Sequence, residues 1–199
     1  MFDSTMWRRA SSVFLFTAIC AAAGVGGSLP VVAQRENLAA MEAQVISLTE
    51  ASRYSEAAVV GERLVALAEA RFGKTHANTG AALNNLAVNY VALGRHLEAI
   101  ALYKRVLLID ERNLGANHVE VARVLNNLAV AFSEIDREDE AEPLYRRSLE
   151  LRERALGPNH SDVAQTLNNL GNALYQEGRT EEAEPYFQQA VDGPRAPRM

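Results

Sequence analysis

Apolar residues in the middle of the chain recur with helical spacing. Leu83, Leu86, Ala87 and Tyr90 stand at i, i+3, i+4 and i+7, which is one stripe of a helix. After Gly94-Arg95 a second stripe runs through Ala99, Leu102, Tyr103, Val106 and Leu107, and Gly115 follows it as a C′ glycine. The pattern predicts two helices joined by a tight turn. Asn117 is the expected cap of the next helix, with Glu120 three residues on as in a capping box. Asn159 and Asp162 repeat that arrangement one unit later.

The predicted helix pair is a repeating unit. Leu83-Asn84-Asn85-Leu86-Ala87-Val88 returns as Leu125-Asn126-Asn127-Leu128-Ala129-Val130 and again as Leu167-Asn168-Asn169-Leu170-Gly171-Asn172. Both shifts are 42 residues, and 81–122 laid on 123–164 gives 21 identities without a gap. Self-similarity of this period marks a solenoid, in which each unit packs only on its neighbours. The last copy, 165–191, keeps Glu182-Ala183 and then Tyr186-Phe187. The first, 39–80, keeps Arg53, Glu56-Ala57, Gly73 and His76 but lacks the double asparagine. Pro143 and Pro185 break the pattern, since a proline deep in a helix costs about 3 kcal/mol or more. The expectation is that these two helices start late or bend.

The runs LNNLA, EAEPLYRRSLELRERALGPNH and EEAEPYF resemble the tetratricopeptide repeat in its 42-residue, kinesin-light-chain-like variety, over about 39–191. The resemblance implies an all-α, right-handed superhelical solenoid of about four antiparallel helix pairs. Small residues at Ala87, Ala99, Ala129 and Ala141 would let paired helices approach closely. It also implies a concave groove lined by the first helix of each pair, and a scaffold for binding proteins or peptides with no catalysis. The carboxylate clamp of some members is mostly absent here. Asn85 matches its middle asparagine, but Glu42 and Ile46 stand where lysine and asparagine are needed, and Asn127 stands in place of a base near Arg123.

Residues 1–33 differ from the repeats. Arg8 and Arg9 precede an apolar stretch from Ala10 to Ala23, then helix breakers, then Val31-Val32-Ala33. This is the order of a signal peptide cut before Gln34. The apolar stretch falls short of the roughly 20 residues of a spanning helix. The expectation is export to the periplasm or outside the cell, with an uncleaved anchor over residues 10–33 as the alternative. A repeat domain over 34–191 and a disordered tail over 192–199 complete the expected organisation. Cys20 and Trp7 both lie in the first segment, so the rest of the chain forms no disulfide and rests on packing. Removing 1–33 takes out Asp3, Arg8 and Arg9 and leaves 18 basic against 24 acidic residues, a net −6. No clustered basic face points to nucleic acid.

The candidate chemistry is sparse. His76, His118 and His160 recur at the repeat period. Repeat-equivalent residues stack one unit apart and cannot converge on one metal ion, so they read as turn histidines. No catalytic triad, phosphate loop or cofactor motif stands out. Pairs such as Asp110-Glu111 read as solvated outer faces. The informative polar residues are the asparagines. Asn85, Asn127 and Asn169 share a helix face with Val88, Val130 and Asn172, and with Arg123 four residues before Asn127. On the implied groove, such carboxamides grip the backbone of an extended peptide, because they both donate and accept. Asn84, Asn126 and Asn168 either join them or tie neighbouring repeats together. Tyr175 and Gln176 would shape the same groove. The expected function is an adaptor for a protein or peptide, needing no cofactor or small-molecule substrate. The alternative is self-assembly of copies through the exposed last repeat.

Overall fold

The computed structural model describes residues 31–192, with side chains from Leu38 to Val191. The expected export segment falls on residues that, up to Pro30, lie outside the described ones, and so do residues 193–199 of the expected tail. Eight helices fill the described chain: α1 Val31–Glu50, α2 Tyr54–Phe72, α3 Ala77–Ala92, α4 His96–Leu114, α5 Val119–Ser133, α6 Glu138–Leu156, α7 Ser161–Gln176 and α8 Thr180–Asp192. None of the described helices is long and apolar enough to cross a membrane. Each of α3 to α7 packs on the helix before it and the helix after it, as a stack of antiparallel pairs must.

The turn inside each pair uses one left-handed residue. It falls at Ser52, Gly94, Asp136 and Gly178, with φ of 57°, 73°, 55° and 78°, at the 42-residue spacing. Serine and aspartate at two of these positions accept a conformation that glycine adopts without steric cost. The next residue is always arginine. Arg53, Arg95, Arg137 and Arg179 each pair with a glutamate three residues on, namely Glu56, Glu98, Glu140 and Glu182. This clasp at the start of every second helix was not anticipated.

The caps correct the sequence reading. The N-cap residues of α3, α5 and α7 are His76, His118 and His160, so at α5 and α7 the cap is the histidine rather than the expected Asn117 or Asn159. Each ring Nδ1 accepts the backbone N–H two residues on, at 3.1, 3.2 and 3.1 Å. The helix starts one residue later than expected, and the imidazole does the work of a serine or asparagine cap. The prolines are also placed: α6 and α8 begin before Pro143 and Pro185, so neither helix starts late. The carbonyl deprived of its helical donor by Pro143 belongs to Asp139, an exposed residue of the first turn, where a backbone group is accessible to solvent.

The core follows the predicted stripes. Leu83, Leu86, Tyr90, Tyr103, Val106, Leu128, Phe132, Tyr145, Leu170 and Leu174 are buried in one cluster that runs through the last three pairs. Met41, Val45, Leu64, Ala68 and Ala82 form a second, where α1 and α2 meet α3. Ala87, Ala99, Ala129, Ala141 and Ala183 have no exposed surface, as expected where helices nearly touch. In the last pair the approach is closer still. A Cβ on Gly171 would lie 2.7 Å from the ring of Phe187, the repeat equivalent of Tyr103 and Tyr145.

Candidate peptide-binding groove

The first helix of each pair keeps one stripe away from its partner, and the double asparagines straddle the edge of that stripe. A helix turns about 100° per residue, so two adjacent asparagines face different surroundings. The first of each pair is drawn into the seam between repeats. Asn84 is 9% exposed and accepts a hydrogen bond at 2.9 Å from Nη1 of Arg123 on α5. Asn126 is 2% exposed and accepts one at 3.2 Å from Nδ2 of Asn169 on α7. Asn168, their equivalent, is exposed; no described helix packs beyond its repeat. Arg123 also donates to Glu120 at 2.8 Å, so both ends of its guanidinium are engaged within the chain.

The second asparagine of each pair is placed differently. Asn85 and Asn127 are half-buried, and their carboxamides make no hydrogen bond to a described residue. Asn169 has its amide NH₂ engaged by Asn126 and keeps its carbonyl oxygen. Asn172, Tyr175 and Gln176 are exposed along the end of α7. Thus Asn85 and Asn127 keep carboxamides without a described partner, Asn84, Asn126 and Arg123 are engaged in ties within the chain, and Asn168, Asn169, Asn172, Tyr175 and Gln176 lie in the last repeat.

Beside Asn85 runs a shallow cleft between α1 and α3. Val45, Ile46, Thr49, Glu50, Asn85 and Val88 line it, around about 120 Å³. Asn89 holds its wall. Its Nδ2 donates to the Asn85 carbonyl at 2.8 Å, and the Thr49 hydroxyl shares its proton between Asn89 Oδ1 at 3.0 Å and the Val45 carbonyl at 2.8 Å. Asn89 is fully buried and was missed in the sequence. Its signal was there: the equivalent positions hold Ala131 and Ala173, so a large polar residue stands where the repeat uses a small one. A larger cavity of about 420 Å³ opens at the other end of α1 and α3, over α2, lined by residues that include Leu38, Leu64, Arg71 and Phe72. It exists because Ala68 and Ala81 occupy the places of Asp110 and Arg123 in the next seam. The Arg71 guanidinium lies 5.0 Å over Phe72, and its buried Nη1 has no hydrogen-bond partner.

The acidic pair Asp110-Glu111 is not solvated as the sequence suggested. Asp110 is half-buried facing Gly80, and burial pushes its carboxyl above the usual range, with Arg123 opposing. Glu111 pairs with Arg147 of α6 at 2.7 Å. Arg152 is another missed member of a seam. It is 3% exposed and donates at 2.7 Å to the Asp162 carbonyl and at 2.7 Å to the Thr166 hydroxyl. The seams between the later repeats therefore add polar, hydrogen-bonded ties to their apolar core, while the cleft beside Asn85 is left open, with Val45, Ile46 and Val88 in its walls.

This arrangement can be set beside known proteins. The chain is similar to BtubC (BKLC) from P. vanneervenii, at 23% identity over 81% of this chain and 67% of that one, with a TM-score of 0.72. It is also similar to a putative kinesin light chain of Podosopora anserina with nearly identical TPR-like repeats, at 22% identity over 78% of this chain and 74% of that one, TM-score 0.71. MamA shares the fold at 16% identity over 81% of this chain and 80% of that one, TM-score 0.60. No curated protein matches. These likenesses show the fold: an all-α, right-handed superhelical solenoid of antiparallel helix pairs. The tetratricopeptide repeat profile matches residues 37–112, 79–154 and 136–196. The chain belongs to the tetratricopeptide-repeat family.

Proposed function

We propose that this protein is a non-catalytic adaptor that holds an extended segment of a partner protein along α1, α3, α5 and α7. Tetratricopeptide repeats generally serve as protein-interaction scaffolds, and the finer reading rests on one observation. Asn85 and Asn127 present half-buried carboxamides with no hydrogen-bond partner among the described residues, and Asn85 stands at the edge of an apolar cleft. Each of these carboxamides can both donate and accept. A peptide backbone supplies the missing donors and acceptors, and the spacing of one asparagine per repeat suits an extended chain.

Self-assembly through the last repeat has weaker support. A second copy stacked on α7 would bring Ala39 and Ala43 to the places of Arg123 and Asn169. Neither alanine can bond to the exposed Asn168. The order of charged, apolar and small residues over 1–33 supports export, with an uncleaved anchor as its alternative. Mass spectrometry of the chain recovered from its own cells decides that point: a start near Gln34 is expected, and a full-length soluble cytoplasmic chain ends the export reading.

The groove is tested by photo-crosslinking in cells. A photoreactive residue at position 85 or 127 of the full chain should trap one defined partner. The same residue at Leu108, which is 69% exposed on α4, should not. Equal trapping from position 108 would place the partner on the outer face and end the groove reading.

A further inference from the structure

We propose that the segment held in this groove is aliphatic and basic: leucine, isoleucine or valine beside lysine or arginine, with one aliphatic side chain seated in the cleft between α1 and α3. The inference rests on the groove reading and narrows its ligand.

The cleft sets the first requirement. At about 120 Å³ it is below the roughly 300–1,000 Å³ of a small-molecule pocket. It is of a size to take a single branched side chain. Its apolar walls are left open to water, since Ile46 is 45% and Val88 36% exposed. The row continues as the half-buried Val130 and then turns polar at Asn172. An extended chain crossing α1, α3 and α5 therefore meets an apolar strip flanked by the free amides of Asn85 and Asn127.

Charge sets the second requirement. Most glutamates elsewhere are matched by arginine, as at the four turn clasps and at Glu142, which pairs with both Arg146 and Arg179. On the groove helices the balance differs. α3 carries no charged residue. The Arg123 guanidinium of α5 is engaged by Glu120 and Asn84. Glu50, which lines the cleft, and Glu134, its equivalent two repeats on, have no ion-pair partner among the described residues. Arg71 belongs to the other cavity, at the far end of α1 and α3. The unmatched charge along the apolar strip is thus carboxylate, which favours a cationic segment and repels an acidic one.

The test uses the full chain and three fluorescein-labelled probe peptides, with repeats of Leu-Lys-Ser, Leu-Glu-Ser and Ala-Lys-Ser, read by fluorescence anisotropy at physiological salt. The leucine–lysine peptide should bind about tenfold tighter than either of the others. Glu50→Gln with Glu134→Gln should remove most of its advantage over the leucine–glutamate peptide. Val88→Ser should remove its advantage over the alanine–lysine peptide. Circular dichroism melts confirm that each variant keeps its fold. Equal binding of the lysine and glutamate peptides, indifference to the glutamate changes, or no binding of any peptide overturns the inference. A photoreactive residue at position 127 separates the two levels. A glutamate peptide trapped there leaves the groove standing and removes only its charge preference. A lysine peptide that binds without being trapped there removes the groove as well.

Discussion

Arg123 Nη1 donates to Asn84 Oδ1 at 2.9 Å across the seam between α3 and α5, while the adjacent Asn85 carboxamide bonds to no described side chain or backbone group. The two asparagines therefore answer differently to truncation. Asn84→Ala leaves a partly buried guanidinium short of an acceptor and should cost about 1–3 kcal/mol. Asn85→Ala should stay within about 0.5 kcal/mol of the parent. Urea melts of the two variants check this. Equal losses would mean that Asn85 holds the fold and is not kept free for a ligand.

The histidine caps give a second contrast. His118→Ala removes the acceptor of the Glu120 N–H and should cost about 0.5–2 kcal/mol. His118→Asn should restore most of the loss, because asparagine is itself a strong cap. Asn117→Ala should change little, since Asn117 is exposed and lies outside α5. If thermal melts rank Asn117→Ala as the worse variant, the cap is at the position first expected from the sequence.

Gly171 inverts a familiar rule. Glycine to alanine inside a helix ordinarily stabilises by roughly 0.5–1 kcal/mol. At this site the new Cβ would sit 2.7 Å from the Phe187 ring, so α8 must move outward. Gly171→Ala should lose about 1–3 kcal/mol net. Adding Phe187→Leu should make the alanine less harmful than it is alone, which a double-mutant cycle by denaturant melts reads directly. Additive losses would show that the contact is not close.

The repeat, the helix pairs, the small residues between them and the apolar stripes were legible in the sequence because each is written several times at one spacing. What was not legible depends on neighbours. Asn84 and Asn85 differ by one step of helix rotation, and only the next repeat decides which one meets Arg123. The caps missed by one residue, which is the ordinary uncertainty of a helix start. Asp110 and Arg152 look like solvated charges on a single helix, and the first is half-buried and the second buried because another repeat covers them. Asn89 was missed because it is unlike its equivalents, and a search for repetition passes over the exception. The open cleft could not be read at all, since it arises from aliphatic and polar residues on two different helices, α1 and α3.

Acid stability offers the last prediction, carried by Glu142. Its carboxylate accepts from Arg179 Nη1 at 2.6 Å, tying the third repeat to the fourth, and from Arg146 Nε at 2.8 Å. The Arg179 bond, then that from Arg146, holds the carboxyl below its usual 4.5 against a partial burial that would raise it. A carboxylate depressed in the folded state stabilises fully above its unfolded value, and the contribution is lost as pH falls through the folded value. Stability should therefore decline from about pH 4.5 downward. Glu142→Gln should cost about 1 kcal/mol at neutral pH, discounted because both guanidinia are partly exposed. It should also flatten the acid limb relative to the parent. Asp110 works in the opposite direction, since its raised carboxyl takes up a proton more readily when folded and so gains stability on acidification. The difference between parent and Glu142→Gln removes that shared term. Urea midpoints measured from pH 7 down to about pH 3, across the usual carboxylate range, should show the two curves converging. Curves that stay parallel would mean that the arginines contribute nothing through Glu142.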